Sequence, residues 1–158
     1  MLELAPVRAA VVRCFGNPQV LDGLPASGGV TARVARDEAW LVGPAAARAQ
    51  LAQAAKSYLA GTDPDGIVVD QSDGWSAWTV TGPQFAMVVA RLSSIELPSQ
   101  RPAFVQGALA DVPAKALVQS DRLHLIVPVQ YAHHVSRRIT QACADLDVTV
   151  RESREMTL

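Results

Sequence analysis

The chain has 158 residues, of which 49% are hydrophobic and 18% charged, and its formal charge is −1. That length suits one domain with a sizeable core, and the composition excludes a disordered segment. The near-neutral balance removes the electrostatic basis for binding nucleic acid or an anionic membrane.

The start, Met1-Leu2-Glu3-Leu4-Ala5-Pro6, carries an acid where a secretion signal needs bases, and a proline before any apolar run. The strongest apolar run, Leu123 to Val129, is interrupted by His124 and Pro128 and is far shorter than the roughly 18 residues of a membrane helix. The expected location is the cytoplasm. Cys14 and Cys143 form neither a CxxC pair nor a His/Cys metal spacing, which fits a reducing compartment or simple burial.

Taken in order, Val7 to Cys14 is apolar and β-rich and predicts a first strand. Phe15 to Gly29, with its Gly, Pro, Asn, Asp and Ser, predicts a long loop. Val30 to Ala35 and Ala39 to Val42 predict a hairpin turned by Arg36-Asp37-Glu38. Gly43-Pro44 opens an Ala-rich helix to about Ala60, with Leu51, Ala55, Tyr58 and Leu59 on one face. Gly61 to Gly66 ends it, and Ile67-Val68-Val69 predicts a short buried strand.

Trp75 to Thr81 alternates like a strand, and Gly82-Pro83 begins a helix at the position where proline fits. Phe85, Val88, Val89 and Leu92 form its core stripe. Ile95 to Pro102 predicts a loop. Leu109 to Gln119 predicts one strand, with Pro113 marking an edge or bulge. Leu123 to Val127 predicts another strand after the Ser120-Asp121-Arg122 turn. A helix is expected from about Gln130 to Asp145, with Tyr131, Val135, Ile139, Ala142 and Leu146 inward. Val148 to Val150 predicts a last strand.

Val34 to Pro44 lines up with Val118 to Pro128, 84 positions later, through Asp37/Asp121, Leu41/Leu125, Val42/Ile126 and Pro44/Pro128. Strand–turn–strand–helix grammar produces such matches by chance, but the shared proline and turn aspartate together favour a duplication. The expected fold is α+β: one domain over 1–158, with pseudo-repeats at about 28–71 and 72–151. It would consist of two ferredoxin-like βαββαβ halves sharing a core, the first degenerate.

Chemistry is scarce. Gly74-Trp75-Ser76-Ala77-Trp78 begins like a nucleophile elbow but ends in tryptophan and enters a strand. Both glycine-rich phosphate cradles are absent. Asp63-Pro-Asp65-Gly66 lacks the further ligands of a calcium loop and predicts a turn. His124 in mid-strand fits an exposed or hydrogen-bonded residue better than a base. His133 and His134 point about 100° apart on a helix and cannot form an i, i+4 metal pair. With Arg137 and Arg138 they make a basic flank, either a solvated helix face or a docking patch for an acidic partner. Trp75 and Trp78, three apart, face opposite sides of a strand. At least one is expected to be substantially exposed in the isolated chain and buried at a partner interface, where tryptophan is enriched; the alternative is that both are partly buried within the chain.

One stretch adds a resemblance. Ser72-Asp-Gly-Trp-Ser-Ala-Trp-Thr-Val-Thr-Gly-Pro-Gln-Phe-Ala-Met-Val-Val-Ala-Arg-Leu-Ser93 resembles the sarcosine oxidase gamma subunit family. So do Phe104-Val-Gln-Gly-Ala108, Ala116 to Val129, and the helix Tyr131 to Ile139. The Thr-Gly-Pro element is shared with aminomethyltransferase folate-binding domains, whose fold the resemblance implies. It further implies a non-catalytic accessory subunit of a heterotetrameric, folate-linked oxidase that demethylates N-methyl amines in one-carbon metabolism. Its partners would be alpha, beta and delta subunits carrying FAD, FMN, NAD, tetrahydrofolate and zinc. This chain would bind no cofactor and would meet its partners through Trp75, Trp78, His133, Arg137 and Arg138. The alternative is a stand-alone folate-binding or one-carbon-transfer protein.

Overall fold

The computed structural model describes residues 1–158 and is α+β. In chain order the elements are β1 (Leu2–Phe15), α1 (Pro18–Leu21), β2 (Val30–Ala35), β3 (Glu38–Pro44), α2 (Arg48–Thr62), β4 (Ile67–Asp70) and β5 (Trp75–Thr81). Then follow α3 (Ala86–Leu92), β6 (Ala103–Leu109), β7 (Val112–Val118), β8 (Arg122–Pro128), α4 (Ala132–Ala142), β9 (Val148–Val150) and β10 (Arg154–Glu155). No helix is long and apolar enough to cross a membrane. The chain divides into two compact units: a larger one of Met1–Val7 and Gly74–Arg154, and a smaller one of Arg8–Asp73 and Glu155–Leu158. The long strand β1 gives its first part to the larger unit and its second part to the smaller.

In the smaller unit the strands run β2-β3-β1-β4, all neighbours antiparallel, with Val30 opposite Val42, Ala9 opposite Pro44 and Phe15 opposite Ile67. Alternation puts Ala10, Val12, Cys14, Ala39 and Leu41 on one face, where Leu51, Ala55 and Leu59 of α2 cover them. Each fully buried leucine here contributes about 1.5–3 kcal/mol of transfer free energy. The predicted loop after β1 holds a turn of helix. Asn17 caps α1 by accepting from the Gln19 N–H at 3.0 Å, and Pro18 sits where its missing N–H costs nothing. The β4 strand forms as expected but is an edge strand, not a buried one, and Ile67 is 58% exposed.

In the larger unit the order is β9-β1-β5-β8-β7-β6, with β9 parallel to β1 and the other pairs antiparallel. One face, with Leu4, Trp78, Val80, Leu123, Leu125 and Val127, packs on α3 and α4 through Val88, Val89, Val135 and Ile139. Pro6 lies inside β1, in the stretch between its β9 register, which ends at Leu4, and its β3 register, which begins at Ala9.

Several expectations are corrected here. Leu109 to Gln119 is not one strand but half of a hairpin. Ala110 and Asp111 (φ 51° and 66°) turn it, a two-residue positive-φ loop without glycine or asparagine. Its partner β6 occupies residues beyond the predicted loop. Pro113 sits in β7 before the β8 pairing starts at Lys115, so it interrupts no ladder to β8. The helix after Gly82-Pro83 begins only at Ala86, and Leu92 is partly rather than fully buried. The last helix stops at Ala142, and Tyr131 is exposed rather than inward.

Candidate interaction surface

No three His, Cys, Asp or Glu side chains gather as a metal site. Both thiols are buried. Desolvation pushes Cys14 up to about 11, and it raises Cys143 despite Arg91 beside it, so neither is a ready nucleophile. His124 is fully buried, with Nδ1 2.9 Å from Thr79 Oγ1, its cross-strand neighbour. Asp63 to Gly66 is a turn, closed by the Gly66 N–H donating to the Asp63 carbonyl at 2.8 Å. An open cleft of about 280 Å³ in the smaller unit is lined by Asn17, Pro18, Gln19 and Arg36, without an acid–base pair.

Two polar clusters escaped the sequence. Arg48 grips Asp73 with both terminal nitrogens (2.9 and 2.8 Å) and reaches Asp70 with Nε at 2.5 Å. The hydrogen bond to Asp73, then that to Asp70, raises the Arg48 pKa. Burial draws the Asp70 carboxyl upward, but Arg48 and the hydroxyl and N–H of Ser72 outweigh it and hold it below the ordinary range. Ser72 Oγ also accepts the buried Val11 N–H at 3.0 Å, while the Gln71 N–H donates to the Val11 carbonyl. Gln71 and Ser72 thus fasten the end of β4 to β1. In the second cluster, Arg13 donates to Glu38 (2.7 Å) and Gln71 (2.9 Å) and stacks on Phe15 and Trp40. Each arginine lies 22 to 58 positions from the side chains it donates to, so no local spacing signals either cluster.

The tryptophans lie on opposite faces of β5, as their spacing predicts. Trp78 is 5% exposed in the helix-covered core. Trp75 is half-buried at the strand's start, with the Lys115 ammonium 5.5 Å from its ring. The face it shares with Ala77, Thr79, His124 and Ile126 is itself buried at those four residues, so it is not a wet sheet surface. Trp75 stands opposite Pro128. From there the chain passes through exposed Val129 and Tyr131 into α4, which exposes His133, His134, Arg137 and Arg138 and buries Val135 and Ile139. His134 Nε2 lies 2.9 Å from the Ala110 carbonyl. The far end of α4 is held by Arg91, which donates to the Ala142 carbonyl at 2.8 Å and pairs with Asp145.

No protein-family profile matches the chain, and no curated protein matches it by sequence. Solved structures do match by fold. A chain of the heterotetrameric sarcosine oxidase from Corynebacterium sp. U-96, in complex with pyrrole 2-carboxylate, superposes with a TM-score of 0.75. The identity is 18%, and the match covers 94% of this chain and 86% of that one, so the two are of similar length. The glycine cleavage system aminomethyltransferase T from Bartonella henselae gives a TM-score of 0.65 at 14% identity. There the match covers 94% of this chain and 47% of the other, so this chain spans about half the aminomethyltransferase. The regulatory subunit of aspartate kinase from Thermus thermophilus is more distant (TM-score 0.53, 16% identity, 90% and 97% covered). At these identities the likeness is one of fold.

Proposed function

We propose that the chain is a small, non-catalytic subunit of a multi-subunit oxidase of the sarcosine oxidase type, working in the cytoplasm on an N-methyl amine. The observation that carries this reading is the near end-to-end likeness, in both directions, to one chain of a heterotetrameric sarcosine oxidase. On this reading the alpha, beta and delta subunits carry FAD, FMN, NAD, tetrahydrofolate and zinc. On the same reading the pseudo-repeats at about 28–71 and 72–151 are ferredoxin-like halves that arose by duplication.

The test is to purify the tagged chain from its native cells and analyse what accompanies it. Stoichiometric co-purification of a flavoprotein that oxidises sarcosine or a related N-methyl amine is the expected result. A chain that purifies without a flavoprotein refutes the proposal. The likeness to aminomethyltransferase T favours a second reading, a stand-alone folate-binding protein. Saturable binding of tetrahydrofolate by the isolated chain would select it.

A further inference from the structure

Most arginines of the chain pair with an acid; Arg36, Arg101 and Arg154 do not, but no two of these are neighbours. Arg48 holds Asp70 and Asp73, Arg91 holds Asp145, Arg122 holds Asp121 and Arg151 holds Glu3. Arg137 and Arg138 hold no acid, and both are exposed. They stand on α4 in two adjoining i, i+4 rows, His133–Arg137 and His134–Arg138. No acid occurs anywhere from Val129 to Cys143. The first acid beyond, Asp145, is engaged by Arg91. Asp111, in the turn that His134 touches through Ala110, forms no ion pair with Arg138. In the 3-10 turn that leads into the same helix, Val129 is 48% exposed and Tyr131 36%. The face therefore combines an apolar, aromatic end with a cationic track, held on a rigid helix whose other side is core.

We infer that this face of α4 is a docking surface for an acidic patch on a partner protein, with Arg137 and Arg138 facing carboxylates and Tyr131 and Val129 packing at the margin. The composition of the face matches what interfaces favour, tyrosine and arginine without lysine or acid. Charge complementarity selects a protein over a nucleic acid. The chain's net charge is −1, and the track is two helical turns long, too short for the many phosphate contacts that nucleic-acid affinity requires. It also lacks the cluster of four to eight Lys/Arg that anionic lipid recruits. The inference deepens the oxidase-subunit reading and rests on it for the identity of the partner, but not for the chemistry of the surface.

The experiment uses the full-length chain and the protein that co-purifies with it in stoichiometric amount, identified by mass spectrometry and then purified. Affinity is measured at low and high salt for the wild type, R137Q/R138Q and R137E/R138E, after thermal unfolding has verified that all three are folded. The expected result is a loss of about tenfold or more in affinity on charge reversal, with a smaller loss for the glutamine pair. Wild-type affinity should fall with salt, and that of R137E/R138E should not. Equal affinity of the wild type and R137E/R138E overturns the inference. An oxidase partner indifferent to reversal sinks the α4 surface and leaves the subunit reading intact. A charge-sensitive partner that is no oxidase does the opposite. Binding to duplex DNA or phosphatidylserine vesicles that R137E/R138E abolishes, without a protein partner, assigns the face to another occupant and overturns the inference. A chain with no partner at all overturns it together with the reading it rests on.

Discussion

Two segments 84 positions apart make the same structure from different residues. Strand β3 ends at Pro44 (φ −58°, ψ 147°), makes one 3-10 turn and becomes α2; strand β8 ends at Pro128 (φ −56°, ψ 138°), makes one 3-10 turn and becomes α4. The two strands share one burial pattern, half-buried ends around five buried residues. The buried helix positions correspond as Leu51 to Val135, Ala55 to Ile139 and Leu59 to Cys143. The exposed faces do not correspond. Helix α2 shows solvent Gln50, Gln53, Lys56 and Ser57, whereas α4 shows two histidines and two unpaired arginines. Burial constrains only apolarity and summed volume, so the core pattern survives while side chains exchange. The solvent face is under no such constraint, and there the two helices differ.

The largest test of this correspondence makes one helix copy the other. Ile139→Ala gives α4 the residue that α2 has at Ala55, yet leaves a cavity among neighbours shaped to isoleucine, and should cost about 2–5 kcal/mol. The reverse change, Ala55→Ile, should cost about 1–3 kcal/mol by overpacking. Denaturant unfolding reads both. If either swap is neutral, the helix positions are not individually fitted to their own cores.

The strands that precede these segments also correspond, 66 positions apart, since Ala9 faces Pro44 as Trp75 faces Pro128. Both are followed by glycine, for different reasons. Gly82 has φ +117°, and a Cβ there would lie 2.7 Å from the Met1 carbonyl oxygen. Gly16 has no such φ, and its Cβ would meet the end of the Asp63 side chain, whose displacement costs one exposed hydrogen bond, from the Asn17 N–H. Gly82→Ala should therefore cost about 1–3 kcal/mol from backbone strain, before any displacement of Met1. Gly16→Ala should cost clearly less. Equal thermal shifts would remove the distinction. The glycine of the Thr-Gly-Pro element is thus explained by backbone geometry alone.

Ser72 sharpens the contrast from the smaller unit, where β4 is short and exposed and a side chain finishes the fastening of β1. Ser72→Ala leaves the buried Val11 N–H without its acceptor and should cost about 1–3 kcal/mol. Ser72→Cys, which keeps a weak acceptor, should recover part of it. Accelerated hydrogen exchange confined to Val11 and its neighbours would locate the effect, and unchanged exchange there would contradict it.

What the sequence made legible was whatever repeats locally. The strand alternation of Trp75 to Thr81 and the helical stripe through Leu51, Ala55 and Leu59 rest on residues near one another, and the offset of 84 compares two such local patterns. The hairpin between Leu109 and Val112 was hidden because its turn uses Ala110 at positive φ, where glycine or asparagine would have announced it. The exposure of Ile67 was hidden because a run of three β-branched residues looks the same on an edge as in a core. The Arg48 cluster was illegible because its partners come from a helix start and a strand end 22 to 25 positions apart. The basic flank at His133, Arg137 and Arg138 was visible as composition. That its arginines lack acids needed the positions of every carboxylate around them.

The smallest expected effect concerns that cluster and its counterpart in the larger unit. Asp70 is held below the ordinary carboxylate range because Arg48 and Ser72 together outweigh its partial burial. Asp145 is lowered chiefly by its hydrogen bond to Arg91. A carboxyl with a depressed folded pKa binds its proton more weakly folded than unfolded. Its stabilisation is therefore complete above the unfolded value of about 3.9 and is lost as the pH falls through the lower, folded one. Asp70→Asn should flatten the decline of stability on the acid side of that value. Asp145→Asn should do so less, because its carboxylate is more open to solvent than that of Asp70, at 65% against 30% exposure, and its pairing is better screened. Unfolding midpoints in urea, measured from neutral to acid pH for the wild type and both variants, give the comparison. If the Asp70→Asn profile runs parallel to the wild type, the Arg48 cluster contributes nothing that depends on charge. If Asp145→Asn flattens it more, the ion pair at the end of α4 is the stronger of the two despite its exposure.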